Sequence, residues 1–400
     1  MPIGPNILAQ SKLPLTFEVI NPGDIGIEPP ENRIGDSLRT WVRSLSVFQK
    51  EAIVASSRTG LVWRLASDEG PYLDGHDEAS CPLSFLTVGM IASYMNEIMA
   101  LAKQQELVIR QIRLIQDNYY TMEGSMRKRT MVGGALPVEL TVEIDCDLDD
   151  AALNALLLNA IAASPINGLM RGKLESLFAL SKNSCQIELG KSKPIEGLLY
   201  GDPENKFDGY EAKGSVLNEP IVEPVGVTPK KEIPGGTSAA GSSLADEQSR
   251  TLNIGGICTL REDGIKEITQ LQYSPHGTSF KLLSEEAEVN GGKGRAPDAN
   301  TYISAGVAFC FMTQFGRFVK MLDLDLKEYR VVQDSYFSLG GASGGTGQAG
   351  TAHPLETHVY LETNESDDVA REMLDISEQT CFLHAFCRTD MKTKLRVVRL

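Results

Sequence analysis

The stretch RLIQDNYY at residues 113–120 returns as RVVQDSYF at residues 330–337, a separation of 217 residues. The same separation pairs residues of identical or similar type on both sides of this stretch, without a gap. These pairs include Gly60 with Gly277, Trp63 with Phe280, Gly89 with Gly306, Met95 with Met312, Pro137 with Pro354 and Asp150 with Asp367. A single register held over roughly a hundred residues predicts that one folding module is present twice in tandem.

Length and composition place the chain among ordinary globular proteins. Its 400 residues suffice for two domains that each bury a core, and 42% of them are hydrophobic. The formal net charge of −15 argues against nucleic acid or an anionic membrane surface as the main partner. Because no apolar run of membrane-spanning length and no basic, apolar leader stand out, we expect a cytoplasmic protein.

The sequence divides into three parts. Residues 1–198 are predicted to form the first module and residues 251–400 the second. Residues 199–250, rich in glycine, proline and serine, are predicted to be a linker that is partly mobile. We expect the two modules to pack against each other as an internal pseudo-dimer.

Each module is predicted to have an α+β fold. Short runs of alternating polarity at 61–65 and 279–283 indicate strands with one buried face. The long apolar segments 82–106 and 300–322 each indicate a helix buried at the centre of its module. A further helix closes each module and is introduced by acidic residues, Asp149 and Asp150 in the first module and Asp367 and Asp368 in the second.

A pair of strands is expected between the two helices of each module. The pairs are 108–120 with 137–146, and 326–338 with 355–361. In the second module they are joined by a glycine-rich run at 340–347. Because no P-loop Lys-Ser/Thr follows this run and no helix begins there, we interpret it as a flexible hairpin tip.

Two of the seven cysteines differ between the modules in a paired way. Cys310 lies in the predicted buried helix and Cys381 in the closing helical region, and the residues 217 positions earlier are Ser93 and Ser164. Both cysteines are thus replaced by a residue of similar size that cannot form a disulfide. The remaining cysteines show no such pairing and are expected to be buried small residues: Cys81, Cys146, Cys185, Cys258 and Cys387.

The second module resembles the OsmC/Ohr family of osmotically inducible and organic-hydroperoxide-resistance proteins. The resemblance is carried by a helix with Gly306-x-x-x-Cys310, a two-stranded hairpin, and a second cysteine about seventy residues after the first. It extends to the first module apart from the cysteines. It implies an intertwined dimer with active sites at the interface, here within one chain. It also implies thiol-dependent reduction of organic hydroperoxides.

The resemblance also assigns roles to individual residues. Cys310 would be the peroxidatic thiol and Cys381 the resolving one. The family's arginine, which lowers the pKa of the first cysteine, lies in an early strand turn. That position makes Arg261 the first candidate and Arg295 the second. The implied partners are an organic hydroperoxide and a dithiol reductant, and no organic cofactor is implied.

The chain departs from the family at one position. A glutamate about ten residues before the first cysteine holds the arginine in the family, but Asn300 occupies that position here and Leu83 its counterpart in the first module. Glu262 or Glu286 could take the place of this glutamate.

Other readings of these residues stay open. Cys310 with His384 as its base could act as a cysteine-nucleophile hydrolase on a small carbonyl or thioester substrate. The motif Cys381-x-x-His384-x-x-Cys387 could suggest a metal site, but helical spacing turns its end residues apart, and no metal is expected. The third reading is a small-molecule binding protein without catalytic activity. A peroxidase needs both cysteines, the hydrolase needs only Cys310 and a base, and the binding protein needs neither.

Overall fold

A computed structural model describes residues 4–46, 48–197, 199–237 and 241–400. Two long central helices dominate its helical part, α2 at Pro82–Gln104 and α5 at Ala299–Leu322. The shorter helices are α1 (Ile7–Ser11), α3 (Asp150–Ala163), α4 (Ile166–Arg171), α6 (Asp367–Thr380) and α7 (Phe382–Arg388), and short 3-10 helices lie at Pro71–Leu73, Glu204–Phe207, Ser242–Leu244 and Glu288–Asn290.

The strands form two mixed sheets. In spatial order, the first sheet contains β1 (Thr16–Glu18), β4 (Val62–Ser67), β3 (Gln49–Ser56), β2 (Gly35–Ser46), β14 (Glu328–Ser338), β15 (Glu356–Glu362), β7 (Leu177–Lys182) and β8 (Cys185–Ile187), and β9 (Lys193–Pro194) also pairs with β7. The second contains β10 (Val222–Val227), β13 (Thr278–Ser284), β12 (Lys266–Ser274), β11 (Glu247–Leu260), β5 (Ile109–Ser125), β6 (Val132–Cys146) and β16 (Thr393–Arg399).

Each sheet is built from both halves of the chain. Strand β2 of the first half pairs with β14 of the second, with Leu38 opposite Ser335. Strand β11 of the second half pairs with β5 of the first, with Ile254 opposite Asn118. Since β5 and β14 contain the two similar octamers, the repeated sequence forms the exchanged strands. The order of elements in the second half matches that in the first, although the duplication itself stays a prediction.

The two central helices cross between the sheets at a pair of glycines. A Cβ added at Gly89 would lie 2.6 Å from the Ala299 carbonyl oxygen, and one added at Gly306 would lie 2.9 Å from the Leu86 backbone nitrogen. Phe85 fills the space beside this crossing, with its ring centroid 5.3 Å from that of Phe309. The glycines therefore permit a close contact that places the sites on both helices near the interface between the halves.

The α+β class and the positions of the main elements agree with the sequence analysis. The predicted strand pairs form as β5 with β6 and as β14 with β15. Asp149 caps α3 as expected, whereas α6 is capped by Ser366, whose hydroxyl accepts from the Val369 amide. The acidic residues Asp367 and Asp368 lie in the first turn instead, where their negative charge interacts favourably with the helix dipole.

Two segments that we expected to be flexible contain ordered structure. The predicted linker at 199–250 includes β10, which pairs with β13, and the start of β11. The glycine-rich run packs against α2 of the first half. There the Glu97 carboxylate accepts from the amides of Ala342 (2.8 Å) and Ser343 (3.1 Å). A side chain at Gly340 would collide with this carboxylate, which explains why glycine is needed there.

Helix α2 is long and apolar enough to cross a membrane by length and composition alone. In the described structure, however, 78% of its most apolar window is buried inside the protein. Its apolar character is therefore accounted for by packing against α5 and the second sheet.

Gly89→Val should destabilise the protein by at least about 2 kcal/mol, because overpacking at the helix crossing forces the backbones apart. Urea unfolding followed by circular dichroism measures this change. Gly214→Val is the control, since nothing lies within 4 Å of a Cβ added there. Equal unfolding midpoints for Gly89→Val and wild type would contradict the close crossing.

Candidate active site

The structure brings Cys310 and Cys381 together. Cys310 lies within α5, and Cys381 lies at the break between α6 and α7, where it caps both helices. Their Sγ atoms are 3.5 Å apart, and both residues are buried. Both thiols are free, and a disulfide needs an S–S distance of about 2.05 Å, so only a small movement separates the dithiol from the oxidised form.

The first half holds the equivalent serines in the same arrangement. Ser93 lies within α2 and Ser164 follows the end of α3, and their Oγ atoms are 2.7 Å apart. The paired cysteine-to-serine difference noted in the sequence therefore corresponds to two geometrically similar places in the fold.

A small cavity of about 30 Å³ adjoins Cys310 and is bounded by both halves of the chain. Its lining from the first half includes Glu69, Cys81 and Leu83. The remaining lining residues are Tyr72, Leu73, Pro82, Ser243, Arg250, Leu252, Ile254, Pro275, Thr313, Gln314, Arg317 and Phe382. Cys81, which we expected only to fill space, is thus a third thiol at this cavity. Cys185 is exposed rather than buried as expected.

Burial dominates the electrostatics of the thiols. It raises the pKa of Cys310 well above the ordinary thiol value, and the neighbouring Cys381 raises it further. A hydrogen bond from the Leu383 backbone N–H to the Cys310 sulfur acts in the opposite direction. Burial also raises the pKa of Cys81 and of Cys387 to about 12. Any thiolate here therefore depends on nearby cations or amides for its stabilisation.

A buried lysine from the first half is electrostatically connected to Cys310. The Lys50 ammonium donates to the Phe48 carbonyl at 2.5 Å. Burial lowers the pKa of Lys50, while attraction to Glu69, Asp68 and Cys310 raises it, in that order. Lys50 and Cys310 therefore favour each other's charged forms across the interface.

Two buried arginines, Arg250 and Arg317, line the cavity. The Arg317 guanidinium donates to the Ser243 carbonyl at 2.7 Å and to the sulfur of Met131 at 3.1 Å. Burial lowers the pKa of Arg317 to about 9 and that of Arg250 to about 10. The sequence analysis did not single out either residue. The residue 217 positions before Arg317 is Ala100, so this difference between the halves was a signal present in the sequence.

The carboxylate at the cavity is Glu69. It accepts from the Tyr72 hydroxyl at 2.5 Å and from the Thr313 hydroxyl at 2.9 Å. Burial raises its pKa. We expected Glu262 or Glu286 to supply such a carboxylate. Glu286, 217 positions after Glu69, instead lines the pocket at Ser93.

The predicted arginines do not line the cavity at Cys310. Arg261 forms ion pairs with Glu219 and Glu267 at the end of β11, and Arg295 pairs with Glu285 and with Asp263. Strand exchange explains their position. The β11–β12 turn lines a cleft with Met95, Asn96 and Met99 of α2, on the side of the first half's serines.

Because of the same strand exchange, Asn300 lies at the serine pair and not at the cysteine pair, where we expected it. Asn300 lines the pocket at Ser93 and donates to Asp36 at 3.1 Å, whereas Leu83 lines the cavity at Cys310. The position that carries glutamate in the family is therefore occupied by leucine at the cysteine pair. The sequence offset alone could not decide which half supplies this position.

His384 is buried without a hydrogen-bond partner. Its ring stacks on Phe311 at 5.1 Å and meets the edge of Phe178, and neither ring nitrogen has a partner among the described residues. Burial lowers its pKa to about 3, so the imidazole stays neutral. Among the described atoms, His384 therefore forms no hydrogen bond with either cysteine sulfur. Within the described ranges, no group of three or more His, Cys, Asp and Glu side chains could hold a metal ion.

The neutral state of His384 should make stability depend on pH. Its pKa is about 3 in the fold against 6.5 in its unperturbed state. The unfolded chain therefore binds an additional proton below pH 6.5, and folding loses stability as the pH falls from 6.5 towards 3. Relative to His384→Leu, the wild type should lose up to about 1.4 kcal/mol per pH unit in this window.

Urea unfolding of both proteins at several pH values measures this difference. Phe311→Leu is the control, because it disturbs the same packing without removing a titratable group. A stability difference between wild type and His384→Leu that does not change with pH would show that the imidazole is solvated or hydrogen-bonded.

Comparison with known proteins places the cysteine pair within a recognised domain. Residues 292–396 match the family model described as OsmC-like protein. A solved structure with detectable similarity is an OsmC-like hydroperoxide resistance protein from Jannaschia sp. CCS1. It is 19% identical, with a TM-score of 0.21, over 32% of this chain and 79% of that one. No curated protein matches the chain. The second half of this chain therefore contains an OsmC-like domain, at residues 292–396.

Proposed function

We propose that this chain reduces organic hydroperoxides through the Cys310–Cys381 dithiol. The observation that carries the proposal is the 3.5 Å contact between the two buried sulfurs beside a cavity. Both cysteines lie within residues 292–396, and the match of this stretch to the OsmC-like family supports a peroxide-related role. The first half contributes cavity walls and, at its own equivalent position, the unreactive pair Ser93 and Ser164.

The reaction proceeds in two steps and consumes two thiols. The Cys310 thiolate attacks the terminal peroxide oxygen, an S–O bond forms, and the O–O bond breaks to release an alkoxide that takes up a proton. Cys310 is then a sulfenic acid, and the substrate has been reduced to an alcohol. Cys381 attacks the oxidised sulfur, the disulfide forms, and water leaves. An external dithiol reduces the disulfide and restores the enzyme.

The thiolate requires positive charge, and Lys50 is our candidate for its source. Lys50 takes the role that the sequence analysis gave to Arg261, because Arg261 forms ion pairs with Glu219 and Glu267. The charge of the buried Lys50 ammonium favours a thiolate at Cys310, and a thiolate in low-dielectric surroundings gains more from such an attraction than one in water. The Leu383 amide adds a hydrogen bond to the same sulfur.

The hydrolase reading has no observation in its favour. A general base must lie within hydrogen-bond reach of the thiol whose proton it takes. His384 instead stacks on Phe311, with both nitrogens unpaired among the described atoms.

A stoichiometric dose of cumene hydroperoxide should convert the two thiols to a Cys310–Cys381 disulfide in the wild type. In Cys381→Ser, a sulfenic acid should accumulate on Cys310 and be trapped by dimedone. Peptide mass spectrometry distinguishes these products. Cys387→Ser is the matched control and should behave like wild type, because Cys387 lies on α7 outside the cavity lining.

If Cys310 stays in the thiol form at a hydroperoxide dose that oxidises a reference thiol peroxidase, the proposed function is refuted. Disulfide formation between Cys310 and Cys81 instead would retain the peroxidase but reassign the resolving thiol.

Lys50→Met should slow the reaction of Cys310 with cumene hydroperoxide at neutral pH by at least about tenfold, because the thiolate loses a buried cation. The rate of sulfenic acid formation, measured against pH in the Cys381→Ser background, should show a higher apparent pKa. Arg261→Met is the control and should leave this profile unchanged. Equal profiles for Lys50→Met and its parent would contradict the role of Lys50.

The serine site supplies a second test within the same chain. Ser93→Cys/Ser164→Cys, made in a background without Cys310 and Cys381, should form a disulfide with diamide because the geometry matches. It should react at least about tenfold more slowly with hydroperoxide, because the four acidic residues that line the pocket at Ser93 disfavour a thiolate. Equal peroxide rates at the two sites would show that the charge environment is unimportant.

A further inference from the structure

Glu69 supplies a buried carboxyl group to the cavity that contains Cys310. Of the described residues that line this cavity, Glu69 is the only acidic one. One of its carboxylate oxygens accepts from the Tyr72 hydroxyl at 2.5 Å, and the other accepts from the Thr313 hydroxyl at 2.9 Å. Because a carboxylate oxygen has two lone pairs, each of these oxygens can still accept a proton.

Two hydrogen bonds fix this carboxyl group at the thiol cavity. Thr313 follows Cys310 by three residues on α5, and residues with this spacing lie on the same face of a helix. The hydroxyl that holds Glu69 therefore projects from the helix face that carries the thiol. The Tyr72 hydroxyl accepts from the Gln272 amide at 2.9 Å, so its own proton is directed to Glu69.

The serine site shows which of these features belong to the fold in general. There Glu286, 217 positions after Glu69, accepts from the Asn96 amide at 2.6 Å. A carboxylate at this position is therefore common to both sites. The position of Tyr72, however, corresponds to the exposed Val289, and Glu286 is itself partly exposed. A buried carboxyl group with a phenol donor is thus found at the thiol site and not at its counterpart.

The reaction of Cys310 needs a group that takes up a proton and then gives it away. The thiol must lose its proton before the sulfur attacks, and the alkoxide that leaves must gain one. The cavity volume of about 30 Å³ holds about two water-sized groups. When the two oxygens of a peroxide group fill this space, no water molecule can carry the proton, so a side chain of the cavity wall must do so.

The other ionisable groups of the wall cannot act in both directions at neutral pH. Burial raises the pKa of Tyr72 and of Cys81, so both side chains keep their protons. Burial lowers the pKa of Arg250 to about 10 and that of Arg317 to about 9, but both guanidinium groups stay protonated and cannot accept a proton. For Glu69, burial raises the carboxyl pKa towards neutrality, where a group can both accept and donate.

The charges that face Glu69 are compatible with uptake of the thiol proton. Lys50 and Arg250 attract the carboxylate, and Asp68 repels it. The Glu69 carboxylate in turn disfavours a thiolate at Cys310. When the proton passes from Cys310 to Glu69, a single negative charge is shared by these two groups, whereas loss of the proton to solvent would leave two. Lys50 then stabilises the thiolate.

We propose that Glu69 is the proton-transfer group of the peroxidase reaction, and this inference rests on the proposed function. The thiol proton of Cys310 moves to a carboxylate oxygen of Glu69. The thiolate attacks the terminal peroxide oxygen, and the S–O bond forms as the O–O bond breaks. The Glu69 carboxylic acid gives its proton to the leaving alkoxide, so an alcohol is released and Glu69 returns to the carboxylate.

The test compares two peroxides of similar size in the Cys381→Ser background, where dimedone traps the sulfenic acid on Cys310. Ethyl hydroperoxide releases the strongly basic ethoxide, which needs a proton, whereas peracetic acid releases acetate, which does not. Glu69→Gln should slow the oxidation of Cys310 by ethyl hydroperoxide at least about a hundredfold more than the oxidation by peracetic acid, because it removes the proton donor. Quenched-flow mass spectrometry measures both rates.

Two further variants separate proton transfer from a structural role. Glu286→Gln is the matched control and should leave both rates unchanged, since Glu286 lines the pocket at Ser93. Glu69→Ala leaves space for a small acid, so added formate should raise its rate with ethyl hydroperoxide at least about tenfold, and formamide should not. Circular dichroism identifies any variant that fails to fold.

The outcomes distinguish this inference from the function on which it rests. If neither peroxide oxidises Cys310 in the Cys381→Ser parent, the peroxidase and the role of Glu69 both fail. If the parent reacts but Glu69→Gln slows both peroxides by the same factor, the peroxidase stands and Glu69 gives no proton to the leaving group. A folded Glu69→Ala variant that formate does not rescue would also overturn the proton transfer.

Discussion

The backbone pairing between the halves of the chain is the constraint on which the remaining structure depends. Strand β2 pairs with β14, and β11 pairs with β5, so each sheet contains strands from both halves of the chain. The two central helices are held between these shared sheets and meet at Gly89 and Gly306. Every cavity at this crossing is consequently walled by both halves, and each thiol or serine pair faces side chains that lie far away in sequence.

Sequence reasoning succeeded where a residue's partner could be found by a fixed spacing. The sequence predicted the strand pairs β5 with β6 and β14 with β15, which the structure contains. The paired cysteine-to-serine difference drew attention to Cys310 and Cys381, whose sulfurs lie 3.5 Å apart. It was less successful where the partner came from the other half. Arg261 was chosen because it lies in a turn comparable to the one that carries the family's arginine, yet strand exchange places that turn beside α2. Lys50 and Leu83 approach Cys310 from the first half, which no spacing within the second half could indicate.

Charge distinguishes the two sites more strongly than the cysteine-to-serine replacement does. Around Cys310 the buried groups include Lys50, Arg250 and Arg317. Around Ser93 they are mainly acidic, and the pKa of Asp298 is raised to about 7 by burial and then by Glu286. A thiolate introduced among these carboxylates would be repelled by them. The two halves therefore differ in the surroundings of this position as well as in the pair of residues that occupies it.

The glycine-rich loop at residues 340–347 contributes to this difference between the two pockets. Its amides donate to the Glu97 carboxylate, which is one of the acidic side chains that line the pocket at Ser93. In a symmetric homodimer the same residues would have to close both pockets or neither, because identical subunits carry identical surfaces. A single chain is free of this symmetry, so the loop can bind an acidic side chain at one pocket while the other pocket keeps the pair of thiols.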